Sequence, residues 1–97
     1  MPKGYWLTIY RSVSDPARLA AYAALATPAI EAGGGRILAR GVAVRTFEGR
    51  TNERTVVVEF PSVQQAVATY EGQRYQDAAR LLVGAVDREV RIVEGVG

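Results

Sequence analysis

Apolar residues along this chain recur at two spacings. "KGYWLTIY", Lys3 to Tyr10, is rich in aromatic and β-branched residues and reads as a strand, with Tyr5, Leu7 and Ile9 on one side and Trp6, Thr8 and Tyr10 on the other. In "SDPARLAAYAALATPAIEAGGG" the period lengthens. Leu19, Tyr22, Ala23, Ala26 and Ile30 recur at helical spacing, Asp15 can cap the start, Pro16 suits the first turn, and the run Gly33, Gly34, Gly35 ends the helix. Pro28 is expected to kink or restart it, with Thr27 as a second cap. "GRILARGVAVRTFEG" reads as a second strand, bulged or bent at Gly41. A polar turn over Glu48 to Arg54 leads into a third strand, Arg54 to Phe60. Ser62 with Gln65 then makes a capping box for a second helix whose apolar face is Val63, Ala66, Val67 and Tyr70. Gly72 interrupts it, and a short helix with Tyr75, Ala78, Ala79 and Leu82 on its inner stripe stops at Gly84. Asp87 to Gly95 is the last strand.

The order is β-α-β-β-α-β, which predicts an α+β, ferredoxin-like fold: a four-stranded antiparallel sheet with its helices on one face. Right-handed crossovers place both helical connections on that face, so the other is bare. The strands are nevertheless apolar on both parities, as in Val56-Val57-Val58, Ile37-Leu38-Ala39 and Val90, Ile92, Val93. A patch of that size on a soluble protein needs cover. The expected cover is a second copy packed face to face, a homodimer through the open sheet face whose two sheets close toward a barrel.

Length and charge narrow the partners. The 97 residues are expected to form one domain, residues 1–97, since half that length could not bury a useful core. Net charge is only +2, with basic and acidic residues interspersed, so neither nucleic acid nor an anionic membrane is an expected partner. No apolar run is long enough to span a bilayer and no leader pattern precedes Lys3, so the expected location is the cytoplasm. Cysteine and histidine are both absent. That excludes thiolate nucleophiles, iron-sulfur clusters and cysteine-ligated zinc, and it removes the commonest general base and transition-metal ligand. No metal or cofactor is expected, and chemistry is left to carboxylates, tyrosines, arginines, hydroxyls, the lone lysine and the backbone.

"KGYWLTIY", "GGRILARG", "ERTVVVEFPSVQQAVATY" and "YQDAARLLVGAVDREVRIVEG" together resemble the bacterial family of domain of unknown function 1330, within the dimeric α/β-barrel superfamily. The resemblance covers nearly the whole chain and implies a homodimer, but no reaction. Relatives in that superfamily include cofactor-free monooxygenases, haem-degrading enzymes, lactone isomerases and stress-response proteins. Several depend on histidine, so haem degradation and chlorite-type chemistry are disfavoured here.

Two groups of residues are candidates for a site. Arg40 and Glu59 are charges inside apolar strands, costly to bury unless paired. Functionally, Arg40 would anchor a substrate carboxylate or enolate and Glu59 would be a base whose pKa burial raises; structurally, the two are an ion pair at a strand end or across the dimer seam. Tyr22 and Tyr70 lie on inward helical stripes. Their hydroxyls would line a helix-sheet cleft and hold a phenolic substrate, or else simply pack in the core beside Trp6, Tyr5, Tyr10 and Tyr75. The glycine run is not a phosphate loop, because it ends a helix rather than following a strand and opening one. Strand one partly imitates an RNA-recognition motif, but that motif belongs on the third strand, where valines leave nothing to stack on bases. The two functional classes left are a dimer that binds a small aromatic or carboxylate metabolite, with cofactor-free oxidation or isomerisation as its chemistry, and a non-catalytic binding or stress-response module.

Overall fold

Strand β1 (Gly4–Val13) lies in the middle of the sheet, in a computed structural model that describes residues 2–49 and 51–97. It pairs antiparallel with β3 (Arg54–Phe60) on one side and β4 (Val86–Glu94) on the other, and β2 (Arg36–Val42) adds outside β3, giving the order β2-β3-β1-β4. Helices α1 (Pro16–Ala32), α2 (Val63–Glu71) and α3 (Gln73–Ala79), with a single 3-10 turn at Arg80–Leu82, make the second layer. This is the expected α+β, ferredoxin-like arrangement, and the sheet is open. The molecule is a slab of 37 × 33 × 16 Å. Among the described residues, no helix is long and apolar enough to cross a membrane.

Local chemistry accounts for most boundaries. The Asp15 carboxylate accepts from the Arg18 N–H at 3.2 Å, and the Ser62 hydroxyl accepts from the Gln65 N–H at 3.2 Å, so α1 and α2 each begin on a side-chain cap. Only half of the capping box forms, since Gln65 Nε2 reaches the Gly33 carbonyl at 3.5 Å and ties the start of α2 to the end of α1. At the glycine run, Gly34 has φ 98, and a Cβ on Gly35 would stand 2.6 Å from Ile30 and 2.7 Å from Phe60. The bare backbone lets the chain turn directly against the core.

Four expectations need correction. Helix α1 runs through Pro28 without restarting; Ala26, Ala29 and Ile30 around it are buried, and that packing outweighs the missing hydrogen bond. Thr27 accordingly caps nothing. Strand β2 ends at Val42 rather than Gly49, because its ladder with β3 stops at Arg54. The irregularity in β2 falls at Leu38, between Ile37 and Ala39, whereas Gly41 pairs in register with Thr55. The turn expected at Glu48 to Arg54 includes Arg50, which is outside the described residues.

The core forms where the helices meet the parity of Trp6, Val58 and Phe60. Trp6 stacks on Phe60 with ring centroids 6.0 Å apart and meets Tyr75 and Tyr70 edge-on at 4.8 and 5.4 Å. Its indole N–H donates to Thr8 Oγ1 at 2.9 Å. The opposite face carries Tyr5, Leu7 and Ile9, all half-buried, beside their partners Glu59, Val57 and Thr55 on β3 and Val93, Arg91 and Glu89 on β4. It is therefore apolar along β1 but charged along β4, narrower than the sequence suggested, because Val90 and Ile92 point to the helices.

Candidate functional site

Strand pairing places Arg54, Tyr10 and Arg88 side by side on the helix-facing side of β3, β1 and β4. The two guanidinium carbons lie 5.9 and 5.8 Å from the Tyr10 ring centroid, within cation-π range. Arg88 is also 5.2 Å from the Tyr22 ring centre. It donates to the Tyr22 hydroxyl at 3.3 Å and to the Tyr75 hydroxyl at 3.1 Å, and these two hydroxyls are 2.6 Å apart. Helix α1 supplies Tyr22 and α3 supplies Tyr75, so this cluster ties both helices to β4.

Proton counting shows what the cluster offers. One tyrosine O–H donates to the other, both oxygens accept from Arg88, and one hydroxyl hydrogen remains for an external acceptor. Burial, first of all, raises the pKa of Tyr22 and Tyr75 above the ordinary tyrosine range. Both are neutral donors at physiological pH. Among the described residues, Arg40, Arg54 and Arg88 make no ion pair with a carboxylate. The helix-facing side thus carries three cations without a protein counter-ion, a setting suited to an anion.

Space lies on two sides of this row. Between the helices and β4, two open hollows of about 410 and 330 Å³ both have Tyr70 and Arg88 in their walls, and Gln76 and Arg80 border the larger. Between α1 and the β2, β3 and β1 strands lies a small cavity of about 30 Å³ bordered by Thr8, Tyr10, Tyr22, Arg40 and Arg54. Among the described residues, no group of three potential metal-ligating side chains comes together.

A model of the family described as Domain of unknown function (DUF1330) matches residues 3–96. The chain belongs to the DUF1330 family. No curated protein matches it. It is similar in structure to a protein of unknown function from Rhodopseudomonas palustris, with TM-score 0.76, 20% identity, and coverage of 99% of this chain and 84% of that one. It also resembles a dimeric ferredoxin-like protein of unknown function from Thermobifida fusca (TM-score 0.67, 13% identity, 96% and 91% of the two chains). A third similar structure is SnoaB, a cofactor-independent oxygenase from Streptomyces nogalater (TM-score 0.68, 9% identity, 96% and 92%). At these identities the likeness is one of fold.

This DUF1330 chain brings together only some of the residues singled out from sequence. Tyr22 is buried between cavity and cluster, and Tyr70 is half-buried at the hollows with its ring 5.2 Å from that of Tyr75. Arg40 is exposed at the mouth of the small cavity, 3.3 Å from Thr27 Oγ1. Glu59 is on the opposite face of the sheet. The expectation of a cleft base there is corrected by strand parity: Glu59 shares its side with Tyr5 and Val57, whereas Arg40 faces α1. Glu59 sits 3.3 Å from Lys3 Nζ, accepts from the Tyr5 hydroxyl at 3.2 Å and lies 3.7 Å from Arg36. The Lys3 hydrogen bond, ahead of the opposing effect of burial, lowers its pKa rather than raising it. The charged form is the one the fold favours. Its stabilisation is therefore present above the unfolded value of 4.5 and is lost as pH falls through the lower folded value. Glu59→Gln is expected to be less stable than the wild type at neutral pH, and urea titrations should show this gap closing as the medium is acidified below the carboxylate range.

Arg54, Tyr75 and Arg88 were not singled out as site residues. The signal for Arg88 was available, because it shares parity with Val86, Val90 and Ile92 in an otherwise apolar set.

Proposed function

We propose that the chain forms a homodimer through the open sheet face and binds a small aromatic or carboxylate metabolite in the helix-sheet groove beside β4. The observation that carries the reading is Arg88: a part-buried cation with no carboxylate partner among the described residues, held by two neutral tyrosine hydroxyls and facing hollows large enough for a single aromatic ring. Arg88 would neutralise a carboxylate, phenolate or enolate, and the Tyr70 ring, with Val90 and Ile92, would pack against the ligand's apolar body. The Tyr22 and Tyr75 hydroxyls would hold the guanidinium in place from behind. The same elements would stabilise the deprotonated substrate of a cofactor-free oxidation or isomerisation, and the fold shared with SnoaB is compatible with that chemistry.

A second reading, a non-catalytic binding dimer, is favoured by the position of Glu59, which leaves the groove without the base the sequence suggested. Calorimetric titration with 4-hydroxybenzoate, salicylate and a hydroxynaphthoquinone, with oxygen uptake followed in parallel, tests both. Binding is expected to weaken about tenfold or more in Arg88→Met, in line with losing a charge-assisted hydrogen bond. Saturable binding without turnover selects the second reading; no binding by any of these compounds removes the groove reading.

A further inference from the structure

Gln76 borders the larger hollow beside β4, together with Tyr70 and Arg88. Its amide is held in one orientation. Nε2 donates to the Tyr70 carbonyl at 2.6 Å, and because a carbonyl can only accept, the nitrogen end is fixed there and Oε1 is the free end. Tyr70 lies in the last turn of α2, where backbone carbonyls lack helical partners, so this bond meets a need of the fold. Among the described residues nothing donates to Oε1, and this oxygen is not sealed from solvent. The half-buried side chain therefore presents a positioned acceptor at the border of a space that also holds a cation.

The other polar side chains around this hollow do not duplicate that acceptor. Arg80 and Arg88 can only donate. Asp87 has the strand parity of Glu89, on the opposite face of the sheet, and both carboxylates lie against Arg11, at 3.6 and 2.6 Å. The Tyr70 hydroxyl donates as readily as it accepts, so it favours neither kind of ligand.

We propose, resting on the groove reading above, that Gln76 selects the ligand: an aromatic acid that also carries an O–H or N–H donor, its anion on Arg88 and its donor on Gln76 Oε1. A plain aromatic acid would displace water from Oε1 and return no hydrogen bond, so the desolvation of that oxygen counts against it. An ether in place of the hydroxyl would set lone pair against lone pair. The selection is thus by hydrogen-bond polarity and not by size.

Calorimetric titration with 3- and 4-hydroxybenzoate, their methoxy counterparts and benzoate reads the preference as a ratio of affinities. The better hydroxybenzoate is expected to bind about fivefold more tightly than benzoate, as for one neutral hydrogen bond, and its methoxy counterpart no more tightly than benzoate. Salicylate should show no preference, because its O–H is spent on its own carboxylate. Gln76→Met should abolish the ratio. Gln76→Lys keeps a donor for the Tyr70 carbonyl but offers the ligand no acceptor, so it should abolish the ratio too, whereas a Gln76 that only ties α3 to α2 would leave it intact in this variant. If Gln76→Met does not fold, Gln76→Lys decides. Benzoate bound by the wild type as tightly as both hydroxybenzoates, or a preference that survives Gln76→Lys, would overturn this inference alone, and the groove reading would stand wherever Arg88→Met still weakens benzoate. No binding of any of these acids, or binding indifferent to Arg88→Met, would remove the groove reading and this inference with it.

Discussion

Trp6→Ala is expected to lower the melting temperature by on the order of 20 °C. The indole is 1% exposed and touches every layer of the core: it stacks on Phe60 of β3, meets Tyr70 of α2 and Tyr75 of α3, and bonds to Thr8 of its own strand. Truncating a buried aromatic to alanine costs roughly 3–5 kcal/mol, and each kilocalorie is worth about 4–8 °C in a domain of this size. The loss is a large share of the roughly 5–15 kcal/mol that holds an ordinary fold together. Trp6→Phe should cost much less, because it retains a ring against Phe60 and loses mainly the bond to Thr8. Differential scanning calorimetry of the three proteins is the measurement. A drop of only a few degrees for Trp6→Ala would mean that the aromatic cluster is not the keystone of the packing.

Leu7→Glu should convert the expected dimer of about 21 kDa, twice the 10.5 kDa chain, into a monomer at micromolar concentration. Leu7 occupies the middle of the open face, between Val57 and Arg91 in the ladder, with Tyr5 and Ile9 beside it on the same strand. In an isologous contact every substitution counts twice. Withdrawing two leucines at about 1.5–3 kcal/mol each weakens association by roughly 3–6 kcal/mol, or about two to four powers of ten in Kd, before the cost of burying two carboxylates is added. Sedimentation equilibrium reads the result, with Leu7→Met as the control that keeps its volume and apolar surface. A wild type that already sediments at 10.5 kDa would exclude pairing through this face.

The parts of the fold legible in sequence were those in which a single force dominates. Strand β3 begins and ends where expected, at Arg54 and Phe60, because its valine run is bounded by polar residues and a proline. The start of α1 was equally plain from Asp15 and Pro16. Long-range pairing was harder to read. Strand β1 continues to Val13 because β4 accompanies it past an irregularity between Tyr10 and Ser12, and nothing local to Arg11 or Ser12 announces that. Parity explains the mixed outcome at the site. Glu59 stood out because of its valine neighbours, but a strand apolar on both sides does not reveal which side holds the helices. Tyr22 and Tyr70 were placed correctly on inward stripes, where helical periodicity has one meaning. Arg88 looked like Arg91, another arginine of the same strand, and only the register separates a cluster-forming side chain from one paired to Glu89 on the other face.

The strand order has a consequence for how the chain acquires its structure. Strand β1 is the first of the four strands along the chain yet lies centrally, and one of its two neighbours is β4, the fourth. On the ribosome, residues 4–13 must wait for residues 86–94, so the ladder cannot be completed until β4 has emerged. Contacts this distant in sequence slow folding and keep it from proceeding segment by segment. A stop codon within the β4 segment, Val86–Glu94, would therefore strip a flank from the sheet's central strand, and the product would be a target for proteolysis rather than a slightly shortened protein.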